Sequence, residues 1–445
     1  MSEKSPFKTV LKTSLPAVVD LSASTFMWTF EAILIGRLSA AAFAGHGMAL
    51  QIIIVVLTLL LTFIVGSSII INRYIGSNDI WEANHILSQA MILGIIMACV
   101  IAFLWYFGAE WIFQLIKEAG SEAKLAGVTY LKTVAVFSPL VLTNFVALGI
   151  IRGAGETRTA MVVNLSVVSL NFVLAPILIF GLMGFPRLEV KGAALAMCIS
   201  QSIGFFVTLY LLRSRKCILF LSFRELTTPN LKTFRRLFRA GIPTTVEQLV
   251  WAIGQLVVSG YAATLGITVL ATHQILIRIQ SILSMFYLGF SIGAMTLVGK
   301  NLGADDRPGA FKTAFAANRV VFIFAFIVFI ILTVFAKPFV GVFTDEQEVL
   351  ELGSKVLIIF ALVQIPKALD GVLIGNLRGV GDLKWLMYIT IASVIFLEIG
   401  LNWFLVFSLN YSLMALWTVH FTDEVLRSCI NFLRFRSGTW KGSII

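Results

Sequence analysis

Long apolar segments are the feature that most restricts how this chain can fold. Runs of about 20 to 30 mostly apolar residues recur about twelve times along the sequence. Each run is long enough to cross a hydrocarbon layer about 30 Å thick as a helix. A membrane barrel would instead need strands of about ten residues with alternating character. Only 13% of the residues are charged, against about 25% in soluble proteins. The sequence therefore predicts an all-α integral membrane protein with twelve transmembrane helices.

The second half of the chain repeats the first. The segment R-G-A-G-E at 152–156 returns as R-G-V-G-D at 378–382, and a shift of 226 or 227 positions also aligns Pro16 with Pro243, Asp20 with Glu247 and His46 with His273. Parallel repeats of this kind are typical of secondary transporters, in which a cavity between the repeats opens to alternate sides. We therefore predict two pseudo-symmetric six-helix lobes, 1–212 and 240–445, joined by a basic cytoplasmic linker at 213–239.

The distribution of positive charge predicts the topology. The net charge is +11, but the basic residues lie at helix ends and form no single patch, so a nucleic-acid partner is not indicated. With both termini inside, about two dozen Lys and Arg fall in cytoplasmic segments and about six outside. This asymmetry predicts a multi-pass protein of the plasma (inner) membrane with cytoplasmic N and C termini. In the linker, L-K-T-F-R-R-L-F-R has the spacing of a helix that lies on an anionic leaflet.

Motifs for cofactors and catalysis are not found in the sequence. The four cysteines lack the paired spacing of a zinc site, and no nucleotide-binding motif is present. The two R-G-x-G turns lack the strand and the Lys-Ser/Thr of a phosphate loop, and they are interpreted as tight cytoplasmic turns. We therefore expect no cofactor, no metal and no enzymatic activity, and transport driven by an ion gradient.

Ionisable residues inside predicted spans are the main functional candidates. Each costs at least about 2.5 to 3.5 kcal/mol at the centre of a span, so it should have a partner or a function. The candidates are Asp20, Glu31, Lys132, Glu247, Arg278, Lys367, Asp370 and Glu398. Glu31 lies among Met27, Trp28 and Phe30, and apolar surroundings disfavour the charged form of an acid. We expect Glu31 to bind and release a proton or cation; the alternative is permanent pairing with Lys132.

Asp20 and Glu247 occupy the same place in each repeat, shortly after a proline. One interpretation is structural, with each acid pairing with an arginine or lysine at the inner gate. The other is ion or substrate binding, with Asp20 contributing to cation or proton coupling. The sequence leaves both open.

Five further residues are also candidates. Lys367 and Asp370, three residues apart on one helix, can neutralise each other or line a cavity in the second half. Arg278 is expected to pair with one of the second-half acids. His46 and His273, at matched helix starts, are interpreted as hydrogen-bonded structural residues.

Several motifs resemble one known family, the multidrug and toxic compound extrusion (MATE) transporters. They are L-P at 15–16, I-G-R-L at 35–38, L-N-F-V-L-A-P-I-L-I-F-G at 170–181, V-K-G-A-A-L-A at 190–196, A-T-H-Q at 271–274 and the two R-G-x-G turns. The resemblance covers nearly the whole chain. It implies a V-shaped pair of six-helix lobes that expels organic, often cationic and aromatic, compounds in exchange for protons or sodium.

The resemblance also assigns the first-half coupling site. The family's first-helix acid falls on Glu31, and the asparagine that shares its site falls on Asn171. The aspartate four residues further on is replaced by Ala175, and a sixth-helix threonine by Met197. Sodium prefers several oxygen ligands, as hard cations do, whereas a proton needs one carboxylate. The resemblance therefore favours proton coupling over sodium coupling, or else an inactive first-half site with coupling elsewhere in the protein.

The resemblance is less direct in the second half. The family's seventh-helix acid falls on Trp251, one turn after Glu247, and its tenth-helix acid falls on Lys367, about one turn before Asp370. The predicted substrate cavity comprises Glu247, Trp251, Gln255, Arg278, Gln364, Lys367 and Asp370.

The sequence thus predicts a proton-coupled antiporter that exports amphipathic organic cations by alternating access. The alternatives are sodium coupling, or a lipid-linked sugar or polysaccharide flippase with a basic cavity for pyrophosphate, to which Lys132, Arg278 and Lys367 could contribute. The expected partners are a small organic substrate, the coupling ion and membrane lipid, and we expect a monomer.

Overall fold

Twelve long helices make up the part of the chain that the computed structural model describes, residues 5–115, 120–409 and 412–442. In chain order, α1 to α12 are Pro6–Gly36, Ala40–Gly76, Ile80–Leu115, Ser121–Gly153, Thr157–Phe180, Glu189–Arg213, Leu231–Thr264, Ile267–Gly303, Arg307–Val334, Gln347–Val380, Leu383–Ser408 and Leu413–Ser437. These ranges contain no β-strand. The predicted all-α architecture with six long helices in each half is confirmed.

Ten of these helices are long and apolar enough to cross a membrane, counted over the described ranges. The two others, α7 and α12, are also the most polar: α7 begins inside the basic linker, and α12 carries the charged residues Asp423, Glu424 and Arg427. Pro16 in α1 and Pro243 in α7 lie inside helices at matched positions, as transmembrane helices tolerate where neighbours satisfy the freed carbonyl groups.

The helices form two compact units. The first-half unit comprises Val19–Gly241, and the second-half unit comprises Met1–Val18 with Ile242–Ile445. The described residues up to Val18 therefore group with the second half, whereas the predicted first lobe spans 1–212. The physical reason is apolar packing, since Val10 and Val18 belong to a core cluster with Tyr287 and Phe290.

The first turns of α7 group with the first-half unit in the same way. The Phe238 ring packs edge-on against Phe63 of α2, with centroids 4.8 Å apart. The basic segment L-K-T-F-R-R-L-F-R is helical, as predicted, and it forms the start of α7 itself.

The two R-G-x-G segments form matching tight turns. The second glycine of each has a left-handed backbone conformation, with φ of 89° at Gly155 and 86° at Gly381. The amide of Gly155 donates to the carbonyl of Arg152 (3.0 Å), and that of Gly381 donates to Arg378 (2.9 Å). A positive φ is readily adopted by glycine and costs other residues. The predicted tight turns are confirmed.

The acid that ends the first turn, Glu156, holds the start of the linker. Its carboxylate accepts hydrogen bonds from the Thr159 hydroxyl (3.0 Å) and from the backbone amide of Ile218. Burial, and then the charge and hydrogen bond of Glu156, raise the pKa of the neighbouring Cys217 thiol to about 12.

The raised pKa of Cys217 predicts an unreactive thiol. At about pH 8 its thiolate fraction should be at least about 100-fold below that of an ordinary cysteine, whose pKa is about 8.5. We expect slow maleimide labelling of the Cys217 peptide, measured by mass spectrometry. Labelling should be faster in Glu156→Gln, because the charge of Glu156 no longer raises the pKa of the thiol. It should stay below the rate of an ordinary cysteine, because burial, the larger cause, remains. Cys217→Ser provides the background. Equal rates in the parent and Glu156→Gln would contradict the role of Glu156.

Candidate functional site

Glu31 on α1 is fully buried in the first-half unit. Its Oε1 accepts a hydrogen bond of 2.8 Å from the Tyr130 hydroxyl on α4, and that hydroxyl also lies 3.6 Å from the sulfur of Met197 on α6. Lys132 is not its partner, since the lysine Nζ lies 2.5 Å from Glu110. Within the described ranges, Glu31 therefore has a neutral hydrogen-bond donor and no cationic partner.

His46 and Asn171 are also buried in the same unit, and their side chains make no hydrogen bonds within the described ranges. The ring of His46 packs edge-on against Tyr130, with centroids 4.8 Å apart. Neither ring nitrogen of His46 and neither amide atom of Asn171 has a hydrogen-bond partner among the described residues, and the same holds for Glu31 Oε2. Buried polar groups are normally paired, so these atoms mark a polar site. The hydrogen bond predicted for His46 is not seen there, whereas His273 Nε2 lies 3.4 Å from the Ser259 hydroxyl.

An apolar pocket of about 470 Å³ lies beside this stretch of α1. It is lined by α1 and α5, with Phe26, Phe30 and Phe172 as its aromatic residues. The rings of Phe30 and Phe172 meet edge to face, 4.7 Å apart. These residues are the chain neighbours of Glu31 and Asn171, so the polar site and the aromatic pocket are built from the same turns of two helices.

Asp20 and Glu247 each pair with the arginine of the R-G-x-G turn in their own half. Asp20 Oδ2 lies 2.7 Å from Arg152 Nε, and Glu247 Oε1 lies 2.9 Å from Arg378 Nη2. Both acids are buried. Of the two interpretations of these acids, the matched ion pairs agree with the structural one.

A polar cavity of about 280 Å³ lies in the second-half unit. Four of the predicted cavity residues line it, namely Glu247, Trp251, Lys367 and Asp370, and Arg378, Glu424 and Arg427 line it as well.

The other three predicted cavity residues do not line this cavity. Gln364 is buried in a hydrogen-bond chain, in which it accepts from Tyr287 (3.2 Å) and donates to Gln280 (3.1 Å). Gln255 is half-buried further along α7. Arg278 is exposed, and no acid among the described residues lies within 4.0 Å of it, so its predicted ion pair is not seen. It lies six residues before Ser284, the first residue of α8 that lines the cavity, which is about 9 Å along the helix axis.

Lys367 and Asp370 do not neutralise each other. The Lys367 ammonium lies 2.6 Å from Glu424 Oε1, and Asp370 Oδ2 lies 3.2 Å from Arg427 Nη2. The expected pair within α10 is therefore replaced by two ion pairs to α12. The reason is that Glu424 and Arg427 extend from the facing helix α12 to within ion-pair distance of Lys367 and Asp370.

The charged face of α12 is the part of the site that sequence reasoning missed. His420, Asp423, Glu424 and Arg427 follow one another at intervals of three, one and three residues, which places them on one face of a helix. This spacing is the sequence pattern from which the charged face could have been predicted. Glu398 on α11 joins the same group, since its Oε1 lies 2.5 Å from His420 Nδ1.

The donor atoms of Glu398, His420 and Asp423 lie within 4.8 Å of one another, a spacing that a metal ion could bridge. They are engaged in hydrogen bonds within the protein: His420 with Glu398, and Asp423 with the Ser393 hydroxyl. We interpret them as a hydrogen-bonded network.

The indole of Trp251 is in contact with cations of the protein itself. Lys367 Nζ and Arg427 Cζ each lie 4.9 Å from its ring centroid. Such cation–π contacts use the face of the ring. The second-half cavity therefore differs from an open aromatic cage for a cationic substrate.

This arrangement, twelve long helices in matched halves with buried ionisable groups in each, is that of a membrane transporter built from two repeats. The MatE family model matches residues 16–177 and 243–404, so both halves fit it. The chain belongs to the MATE family of multidrug and toxic compound efflux transporters.

Individual relatives agree over nearly the whole length. The chain is 26% identical over 434 residues to a probable multidrug resistance protein NorM of Thermotoga maritima, covering 98% of this chain and 93% of the relative. Among solved structures, a MOP superfamily transporter from Pyrococcus furiosus superposes with a TM-score of 0.89 at 21% identity, covering 98% of this chain and 97% of that one. An outward-facing MATE family multidrug transporter gives a TM-score of 0.88 at 21% identity, covering 98% and 96%.

Proposed function

We propose that this protein is a proton-coupled antiporter that exports amphipathic organic cations, with Glu31 as the coupling acid. The observation that carries the proposal is the environment of Glu31: a fully buried carboxyl with a tyrosine hydroxyl as donor and no cationic partner in the described part of the chain. A buried carboxylate without a cation is costly, so a proton is the ligand that neutralises it with least rearrangement. The protein would work in the plasma membrane with both termini in the cytoplasm.

The side chains around Glu31 support a proton over sodium. Ala175 and Met197 are buried and stand where the family has oxygen ligands. Asn171 retains its amide, but no hydrogen bond joins it to Glu31. Hard cations need several oxygens, and a proton needs only the carboxylate.

The aromatic pocket beside Glu31 supports an amphipathic organic cation as cargo. Phe26, Phe30 and Phe172 offer apolar surface and aromatic faces to a flat cationic molecule. Deprotonated Glu31 would favour the cation and protonated Glu31 would release it, so proton and cargo would compete for one negative charge. Competition of this kind couples the two fluxes in opposite directions.

Efflux from proteoliposomes tests the proposal. We expect the parent to move a fluorescent organic cation when a proton gradient is imposed, and a sodium gradient to add nothing. Glu31→Gln should reduce proton-driven efflux by at least about 100-fold, since glutamine keeps the shape of the side chain and cannot exchange a proton. Glu110→Gln, which removes an exposed acid from the same unit, is the matched control and should retain efflux.

Two outcomes would contradict the proposal. Undiminished proton-driven efflux in Glu31→Gln would move coupling to another acid. Efflux that depends on sodium alone would replace the proton as coupling ion.

A second candidate is export of an anionic cargo, with the lipid-linked sugar flippase as one form of it. Three cations, Lys367, Arg378 and Arg427, line the second-half cavity. A relative with 24% identity over 346 residues is an FAD transporter of Shewanella oneidensis. Each of the three cations already contacts a carboxylate, so the cavity is not simply basic. Transport of a pyrophosphate-containing lipid, with no efflux of organic cations, would establish this candidate instead.

A further inference from the structure

A connected network of buried charged side chains lies in the second-half unit, separate from Glu31. Hydrogen bonds or ion pairs of 2.5 to 3.4 Å link its members into one group. We call it the α12 network, and it consists of Lys367, Asp370, Glu398, His420, Asp423, Glu424 and Arg427.

The α12 network carries more acids than permanent cations. It contains four carboxyl groups and two permanent cations, Lys367 and Arg427, and the four carboxyl side chains are at most 1% exposed. The adjacent pairs Glu247–Arg378 and Asp382–Arg434 each contain one acid and one base, so they add no surplus positive charge. Uncompensated charge at this depth is strongly unfavourable. The network is therefore expected to hold protons, and His420 is its one group that can gain a positive charge.

The contacts of His420 fix where its proton lies. Lys367 Nζ lies 3.3 Å from His420 Nε2, and an ammonium group can only donate. Nε2 is then the acceptor, and the imidazole proton lies on Nδ1, which donates to Glu398 Oε1 at 2.5 Å. His420 is thus neutral when Lys367 bonds to it, because a second proton would face the ammonium group.

We propose that the His420–Glu398 pair is a second proton-binding site, whose protonation controls the pairing of Lys367 at the cavity. A proton on Nε2 repels the ammonium group of Lys367. The new N–H faces Glu424 Oε1, 3.8 Å away. It therefore competes with Lys367 for Glu424, the acid that pairs with Lys367. Lys367 lines the cavity and contacts Trp251. Protonation of His420 therefore releases the ammonium group of Lys367 from Glu424 at the cavity wall.

The local backbone is consistent with a functional site. Residues 394–401 of α11, which include Glu398, form a π-helix, and such wide turns are found frequently at functional sites. The groups that face His420 from other helices are Trp251 of α7, His273 of α8, Lys367 of α10 and Glu398 of α11, and Asp423, Glu424 and Arg427 follow it on α12. Of these, Glu398 is the acid in direct contact with Nδ1.

Histidine nuclear magnetic resonance tests this inference directly. The chain has four histidines, so ¹⁵N-histidine labelling of the full-length protein in nanodiscs gives few signals, each assigned by a His→Gln variant. We expect the His420 signal to change from the neutral Nδ1–H tautomer to imidazolium as the pH falls from about 9 to about 5. Glu398→Gln should move this transition down by at least about one pH unit, a tenfold loss of proton affinity. Glu351→Gln, an exposed acid of the same unit, should not move it.

The outcomes are separable from those of the Glu31 experiment, because the signal needs neither a transported substrate nor a working Glu31. A His420 that stays neutral over this pH range would overturn the proposal, as would an unchanged transition in Glu398→Gln. Binding of Zn²⁺ by the parent, lost in both Glu398→Gln and His420→Gln, would replace the proton site with a metal site. Glu398→Gln retains the size of the side chain, and elution as a monodisperse peak verifies that it folds.

Discussion

Arg427→Gln is expected to leave little or no folded protein. Arg427 contacts three buried acids, with Glu424 at 2.9 Å, Asp370 at 3.2 Å and Asp423 at 3.4 Å. Removal of one partner of a buried ion pair costs about 3 to 5 kcal/mol, because the other charge stays buried without compensation. Here one substitution leaves two buried carboxyl groups, Asp370 and Asp423, without a cation, since Glu424 keeps Lys367. The loss approaches the whole stability of a typical domain, about 5 to 15 kcal/mol. The yield of monodisperse protein on size-exclusion chromatography measures the effect.

Two further variants show whether charge is the cause. Arg436→Gln, an exposed arginine on the same helix, should give the parent yield and melting temperature. The double variant Asp370→Asn with Arg427→Gln should recover part of the yield, because one uncompensated acid is removed together with its partner. A folded Arg427→Gln protein with the parent melting temperature would show that the acids of the α12 network are already neutralised by protons.

The helices and turns could be predicted because their determinants are local. An apolar run long enough to span the membrane predicts a helix regardless of its neighbours. The glycines at 155 and 381 predict the left-handed turns that the structure contains. Glu31 could be singled out for the same reason, since the residues that surround it in sequence are apolar. Each of these inferences needs only a few consecutive residues.

The pairing of the charges could not be predicted because it depends on how the helices are rotated against each other. Lys367 and Asp370 stand three residues apart, a spacing at which two charges on one helix can pair, yet each has a partner on α12. Tyr130, the donor to Glu31, is one aromatic residue within an apolar helix, and nothing in its neighbourhood distinguishes it from a core residue. A tertiary contact of this kind leaves no local pattern.

The matched ion pairs Asp20–Arg152 and Glu247–Arg378 are expected to stabilise the R-G-x-G turns more than any other charged contact. Arg378→Gln should lower the free energy of unfolding by about 3 to 5 kcal/mol, since it leaves Glu247 buried and unpaired. The double variant Glu247→Gln with Arg378→Gln should lose less than the arginine variant alone, because no charge remains without a partner. Unfolding in mixed micelles of dodecyl sulfate and dodecyl maltoside, followed by tryptophan fluorescence, measures these differences.

The first-half pair provides an internal replicate of this prediction. Arg152→Gln, and the double variant with Asp20→Asn, should reproduce the same order, because Asp20 is fully buried and 2.7 Å from its arginine. Glu351→Gln, which removes an exposed acid from the first turns of α10, should leave unfolding unchanged, since exposed charges contribute little to stability. Proton-driven efflux should persist in both double variants if these acids only stabilise the fold. Loss of efflux in a double variant that is as stable as the parent would instead assign Asp20 or Glu247 to the transport cycle, which is the other interpretation that the sequence allows.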